Sequence, residues 1–111
     1  ILIIEDDRVV MQAYVRKLPN FRVLEASTLS GAQTLFLANQ DNLVGVIVDG
    51  SLSGTDLDTL DLIRWIRSQG FQGMMIAAST SGRYMAQMVA AGCTRAIGKL
   101  NLVRLLPGIF A

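Results

Sequence analysis

Apolar residues along this chain fall into short blocks, not long runs. Ile1–Ile4, Val46–Val48 and Met74–Ala78 are nearly uninterrupted, the pattern of strands covered on both faces. Between these blocks the spacing becomes helical. Val9, Val10, Ala13, Tyr14 and Leu18 predict a helix over Val9–Leu18, which Pro19-Asn20 ends. Phe21–Ala26 alternates with Arg22 and Glu25 and reads as a second strand. Thr28 can cap a helix over Leu29–Asn39, with Ala32, Leu35, Phe36 and Ala38 as its apolar face. Val44–Val48 is a third strand ended by Asp49, and Ser51–Thr55, with Gly54, is a turn-rich loop. Asp56 is the expected cap of a helix running to Ser68, with Leu60, Ile63 and Ile66 inward, Trp65 half-buried to one side and Gly70 closing it. Met74–Ala78 is a fourth strand. Ser81-Gly82 opens a helix through Ala91, with Met85, Met88 and Val89 expected in the core and Gly92 as its stop. Arg95–Gly98 is a short fifth strand, and a last helix begins at Asn101 and is broken near Pro107-Gly108. Five strands alternating with five helices predict an α/β domain, a parallel sheet with helices on both faces. Residues 1–111 fit one domain.

Composition narrows the functional classes. Hydrophobic residues make up 51%, yet no apolar run approaches the ~18 residues of a membrane span, and residues 1–111 contain no basic n-region of a signal peptide. Cys93 is the sole cysteine, which excludes a disulfide framework within the chain and points to a reducing, cytoplasmic setting; it reads as a small packed residue. The formal net charge is +1, and the basic residues, Arg67 among them, are scattered, so no nucleic-acid stripe is present. The chain contains no histidine. That removes Ser-His-Asp and Cys-His nucleophile schemes and every histidine-based metal site.

Ligands of parallel α/β sheets bind beyond the carboxyl ends of the strands. Glu5, Asp6 and Asp7 follow the first strand, Asp49 ends the third, Ala78, Ser79 and Thr80 end the fourth, and Lys99 follows Gly98 of the fifth. Carboxylates brought together repel unless a cation joins them. Oxygen ligands suit Mg²⁺, which prefers one or two carboxylates with water and phosphate oxygens. A carboxylate is also a nucleophile that can form an aspartyl phosphate, with a metal, an ammonium and a hydroxyl sharing the phosphoryl charge.

The segments ILIIEDD, VIVDGSLSG and AAGCTRAIGKL, in this order and spacing, resemble the receiver domain of two-component response regulators over essentially the whole chain. The resemblance implies a flavodoxin-like, doubly wound five-stranded parallel sheet of order 2-1-3-4-5 with five helices. It implies Asp49 as phospho-acceptor, Lys99 as phosphoryl partner, and a Mg²⁺ site at Asp6, Asp49 and the Ser51 carbonyl, with Glu5 acting through a water. The switch hydroxyl falls on Ala78 without a gap and on Ser79 with a shift of one residue. The implied role is signalling, not enzymatic beyond the domain's own phosphotransfer and dephosphorylation. A histidine kinase or histidine phosphotransfer protein would be the donor, and an effector domain or output protein the target, with neither nucleic acid nor membrane bound by this domain and no oligomeric state specified.

Departures from the family pattern are specific. Ser53 stands where a proline is usual, the Ser53–Asp58 loop is about two residues longer, and Leu100 follows Lys99 where the family has a cis proline. A cis bond before Leu100 would cost ~3 kcal/mol, so trans is expected. Ala96 replaces the switch aromatic. The alternative reading is therefore a pseudo-receiver, an interaction domain independent of phosphorylation. A related aspartyl-phosphate hydrolase is disfavoured because Ser51 stands where a second aspartate is usual. Bland readings also exist: Glu5, Asp6 and Asp7 as helix caps, Asp49 as a turn residue, Lys99 as a solvated loop lysine, and Ser79 as a plain turn hydroxyl.

Overall fold

The computed structural model describes residues 1–110. Its elements, in chain order, are β1 (Leu2–Ile4), α1 (Arg8–Arg16), β2 (Leu24–Ala26), α2 (Leu29–Asn39), a 3₁₀ turn (Gln40–Asn42), β3 (Gly45–Asp49), α3 (Leu60–Ser68), β4 (Met74–Ser79), α4 (Gly82–Ala91), β5 (Arg95–Gly98) and α5 (Lys99–Ile109). All five strands are parallel and lie in the order β2-β1-β3-β4-β5, as the resemblance implied.

Alternation of side chains across the pleat divides the core in two. Leu2, Ile4, Val46, Val48, Met75 and Ala77 face α2, α3 and α4, meeting Ala32, Phe36, Leu62, Ile63, Ile66 and Met88. Ile1, Ile3, Ile47, Ile76, Ala78 and Ile97 face α1 and α5, meeting Met11, Tyr14, Leu18, Leu102 and Leu106. Both faces are covered, so the strands read as continuous apolar runs. Trp65 is partly buried as expected, with its ring edge-on to Phe36 at 5.6 Å. Of the expected α4 core residues only Met88 is buried; Val89 is 41% exposed. Cys93 is buried and its thiol is pushed up to about 12 by burial, so it stays protonated.

Several elements differ from the sequence expectation. β2 begins at Leu24, because β1 offers only Leu2–Ile4 as a ladder and Phe21 turns aside to pack edge-on against Phe110, centroids 6.2 Å apart. α3 begins at Leu60, and Asp56 does not cap it. The Asp58 carboxylate is turned back on the preceding loop, accepting from the Leu52 and Ser53 amides at 2.8 and 2.9 Å. α5 starts at Lys99 and runs through Pro107 to Ile109; the amide that proline lacks removes one bond near the helix end. The Lys99–Leu100 bond is trans, as are the others among the described residues.

Arg67 was not distinguishable in the sequence from the other scattered arginines. Its guanidinium donates to the carbonyls of Gly92, Phe71 and Gly73 at 2.8–2.9 Å and to Thr94 Oγ1 at 3.1 Å. It also lies 5.6 Å over the Phe71 ring. One side chain thus joins the end of α3 to the loops entering β4 and β5. Gly92 permits this: its φ of 141° ends α4, and a Cβ there would press on the Arg67 stem at 2.8 Å.

Candidate functional site

The carboxyl ends of β1, β3, β4 and β5 surround a cavity of about 590 Å³, lined by Glu5, Asp6, Asp49, Ser51, Ser79 and Lys99 among others. Each lies at a strand end or within two residues beyond it. Asp49 is the last residue of β3 and is 4% exposed; Glu5, one residue past β1, is 2% exposed. Asp6 projects into solvent at the rim. One oxygen from each of Glu5, Asp6 and Asp49 can be chosen so that all lie within 4.8 Å of one another.

The acidic run divides its work. Asp7 Oδ1 accepts from the Val9 and Val10 amides, at 2.9 and 3.3 Å, and caps α1. Glu5 Oε1 accepts from the Asp7 amide at 3.1 Å. Asp6 is left for the cavity.

Lys99 crosses from the fifth strand to close the cluster. Its Nζ donates to Glu5 Oε1 at 3.2 Å and lies 3.1 Å from both Glu5 Oε2 and Asp49 Oδ1. It is not a solvated loop lysine, and it already holds the two buried carboxylates together without a phosphoryl group. Burial alone would lower its pKa, but the Asp49 and Glu5 charges outweigh this and raise it, so it remains an ammonium. One ammonium does not satisfy two carboxylates. Glu5 Oε2 is buried without a hydrogen bond, as is the Tyr14 hydroxyl. Burial, then the Asp49 charge, push the Glu5 carboxyl up to about 7. Burial also raises Asp49, with Lys99 and the Ser51 amide pulling it back. The Tyr14 phenol is raised far by burial and then by Glu5 and Asp49, and it stays protonated.

This electrostatic frustration predicts a pH dependence. Glu5 binds its proton more tightly folded than unfolded between the ordinary 4.5 and about 7, so folding stability falls as pH rises through that interval. Thermal unfolding in chelator should show the midpoint dropping across this window, and Glu5→Gln should flatten the drop. A profile unchanged by that substitution would refute the assignment.

Ser79, and not Ala78, is the hydroxyl at the cavity. Ala78 pairs with Asp49 across the sheet but packs in the core on the α1 and α5 side. Ser79 Oγ accepts from the Ser81 amide at 3.0 Å, which leaves its proton available to donate. Ser51 lies in the cavity wall, with its Oγ accepting from the Gly54 amide at 3.1 Å. Ala96 is exposed on β5. Thr59 was missed: it is fully buried, and its hydroxyl lies 2.8 Å from the Asp49 carbonyl and 3.2 Å from that of Gly50, anchoring the backbone of the acceptor strand's end. No local pattern marks a threonine that bonds ten residues back.

Neither a family model nor a curated protein sequence matches the chain. Solved structures do. The receiver domain of NtrX from Brucella abortus aligns with a TM-score of 0.77 at 20% identity, covering 95% of this chain and 92% of that one. A response regulator receiver protein from Pseudoalteromonas atlantica aligns at 0.74 and 16%, covering 96% and 88%. A response regulator from Burkholderia pseudomallei, with a phosphorylated aspartic acid, calcium ion and citrate, aligns at 0.77 and 20%, covering 99% and 65%. Identities this low establish likeness of architecture, and on architecture the three agree: the chain has the fold of the receiver domains of response regulators.

Proposed function

We propose that residues 1–111 form one receiver domain that accepts a phosphoryl group on Asp49 and passes the change to a protein partner. The observation that carries this reading is a buried aspartate at the end of β3, 3.1 Å from Lys99 Nζ and clustered with Glu5 and Asp6. The Asp49 carboxylate attacks phosphorus, the bond to the donor's leaving group breaks, and Lys99 moves its charge from Asp49 Oδ1 to a phosphoryl oxygen. Ser79, with its proton free, donates to another. The donor's phosphohistidine belongs to a kinase or phosphotransfer protein, since this chain has no histidine. No helix among the described residues is long and apolar enough to cross a membrane, which suits a cytoplasmic partner.

The donor set fits a divalent cation. Three carboxylates converge, and burial with the neighbouring Asp49 charge raises the Glu5 carboxyl, a repulsion that a bound cation would relieve. All the available ligands are oxygens, which favours Mg²⁺ or Ca²⁺; the Burkholderia protein contains calcium. We assign Asp6, Asp49 and the Ser51 carbonyl as direct ligands, with Glu5 acting through a water. Bound there, Mg²⁺ would neutralise developing charge on the phosphoryl oxygens. Asp6→Ala should weaken Mg²⁺ binding at least about tenfold, measured by titration of amide shifts; unchanged affinity would place the cation elsewhere.

Incubation with acetyl phosphate and Mg²⁺, followed by mass spectrometry, tests the reading. One added phosphoryl mass is expected. The pseudo-receiver reading, which the small exposed Ala96 favours, predicts none.

A further inference from the structure

The loop between β3 and α3 forms one wall of the Asp49 cavity through Ser51, Gly54 and Thr55. Its ends are anchored: Leu52 and Leu57 pack on the core, and the Asp58 carboxylate binds the Leu52 and Ser53 amides. Its tip, Ser53–Asp56, is exposed, and Gly54 there has a φ of 91° with open space around it. Such a tip has little of its own to hold it against the cavity.

Tyr84, on the first turn of α4, supplies the hold. Its hydroxyl donates to the Thr55 carbonyl at 3.1 Å. Among the described residues this is the one side-chain hydrogen bond that reaches the tip from another element. Its ring lies beside Gly50, the residue after the acceptor. A Cβ on Gly50 would sit 3.4 Å from Tyr84 Cδ2 and 3.5 Å from Ser79 Oγ. The Tyr84 amide in turn donates to Ser81 Oγ at 3.2 Å, and the Ser81 amide donates to Ser79 Oγ. Ring, hydroxyl and backbone of one residue therefore touch the acceptor's neighbour, the loop tip and the cap that leads to the Ser79 hydroxyl.

We propose that Tyr84 is a positioning residue that latches the tip of the β3–α3 loop to the start of α4, keeping the wall of the Asp49 cavity in place for the phosphoryl donor. This rests on the phosphoryl-acceptor reading above. Ala96 leaves β5 without an aromatic ring; Tyr84 is the aromatic that lines the cavity, and it joins α4 to the loop.

Tyr84→Phe tests the latch, because it removes the hydroxyl and keeps the ring. In donor-free protein, hydrogen exchange over residues 53–56 should rise about fivefold, the weight of one ordinary hydrogen bond, while β3 and β4 stay unchanged. With acetyl phosphate and Mg²⁺, a wall that is in place for a smaller fraction of the time raises the apparent KM, by no more than that factor, with kcat unaltered. Unchanged exchange at 53–56 would overturn the latch, and altered exchange with unchanged KM would overturn its part in donor binding. If the unsubstituted protein takes up no phosphoryl group, the reading of the site fails, and with it the donor-binding role; the exchange result still decides whether Tyr84 holds the loop.

Discussion

Asp49→Asn is expected to reduce phosphoryl uptake from acetyl phosphate below detection. Asparagine has almost the same shape, so packing at the end of β3 is kept, but the amide lacks the anionic oxygen that attacks phosphorus. The substitution also removes one of the two buried carboxylates that share Lys99. The fold should therefore be no less stable, and the Glu5 carboxyl, raised in part by Asp49, should move back toward its ordinary range. Mass spectrometry would read the uptake, and thermal unfolding of the same sample would show that the loss is chemical. Labelling that survives at another aspartate would remove Asp49 from its assigned role.

The second large effect is on stability. Arg67→Ala should cost about 3 kcal/mol or more, because its guanidinium makes four hydrogen bonds to two separate segments. Bonds from a charged donor contribute more than neutral ones, and removing it leaves carbonyls around β4 and β5 unpaired. For a domain of this size that is a large share of a total of about 5–15 kcal/mol and a fall in midpoint on the order of 10 °C. Arg67→Lys should recover only part of it, since an ammonium cannot reproduce the planar fork. Urea unfolding measures both; a loss under ~0.5 kcal/mol, typical of plain surface sites, would show that the clamp carries little.

Periodic burial is a local property, and it was legible. The alternation of strand and helix, and the limits of α2 and β5, followed from the apolar blocks with Thr28 and Gly98 at their edges. The acidic run, Asp49 and Lys99 stood out because each follows a strand, and parallel strands gather their carboxyl ends. Which of three adjacent acids did what was not legible. Asp7 caps the helix, Glu5 is buried against Lys99 and Asp6 faces the cavity, a division set by the turn of the backbone after β1.

Only the tertiary structure decided the rest. Ser79 takes the hydroxyl position because the pleat sends Ala78 into the opposite core. Asp56 is no cap because α3 begins only at Leu60, after Asp58 and Thr59 have bound the loop and the end of β3. Arg67 meets Gly92 across 25 residues, Tyr84 meets Thr55 across 29, and Lys99 meets Glu5 across 94. Sequence alone determined most of the apolar core and in what order the elements come, because burial repeats with the helix and strand periods. The partners of its polar side chains came from the packing of the sheet, because a hydrogen bond between distant segments obeys no period along the chain.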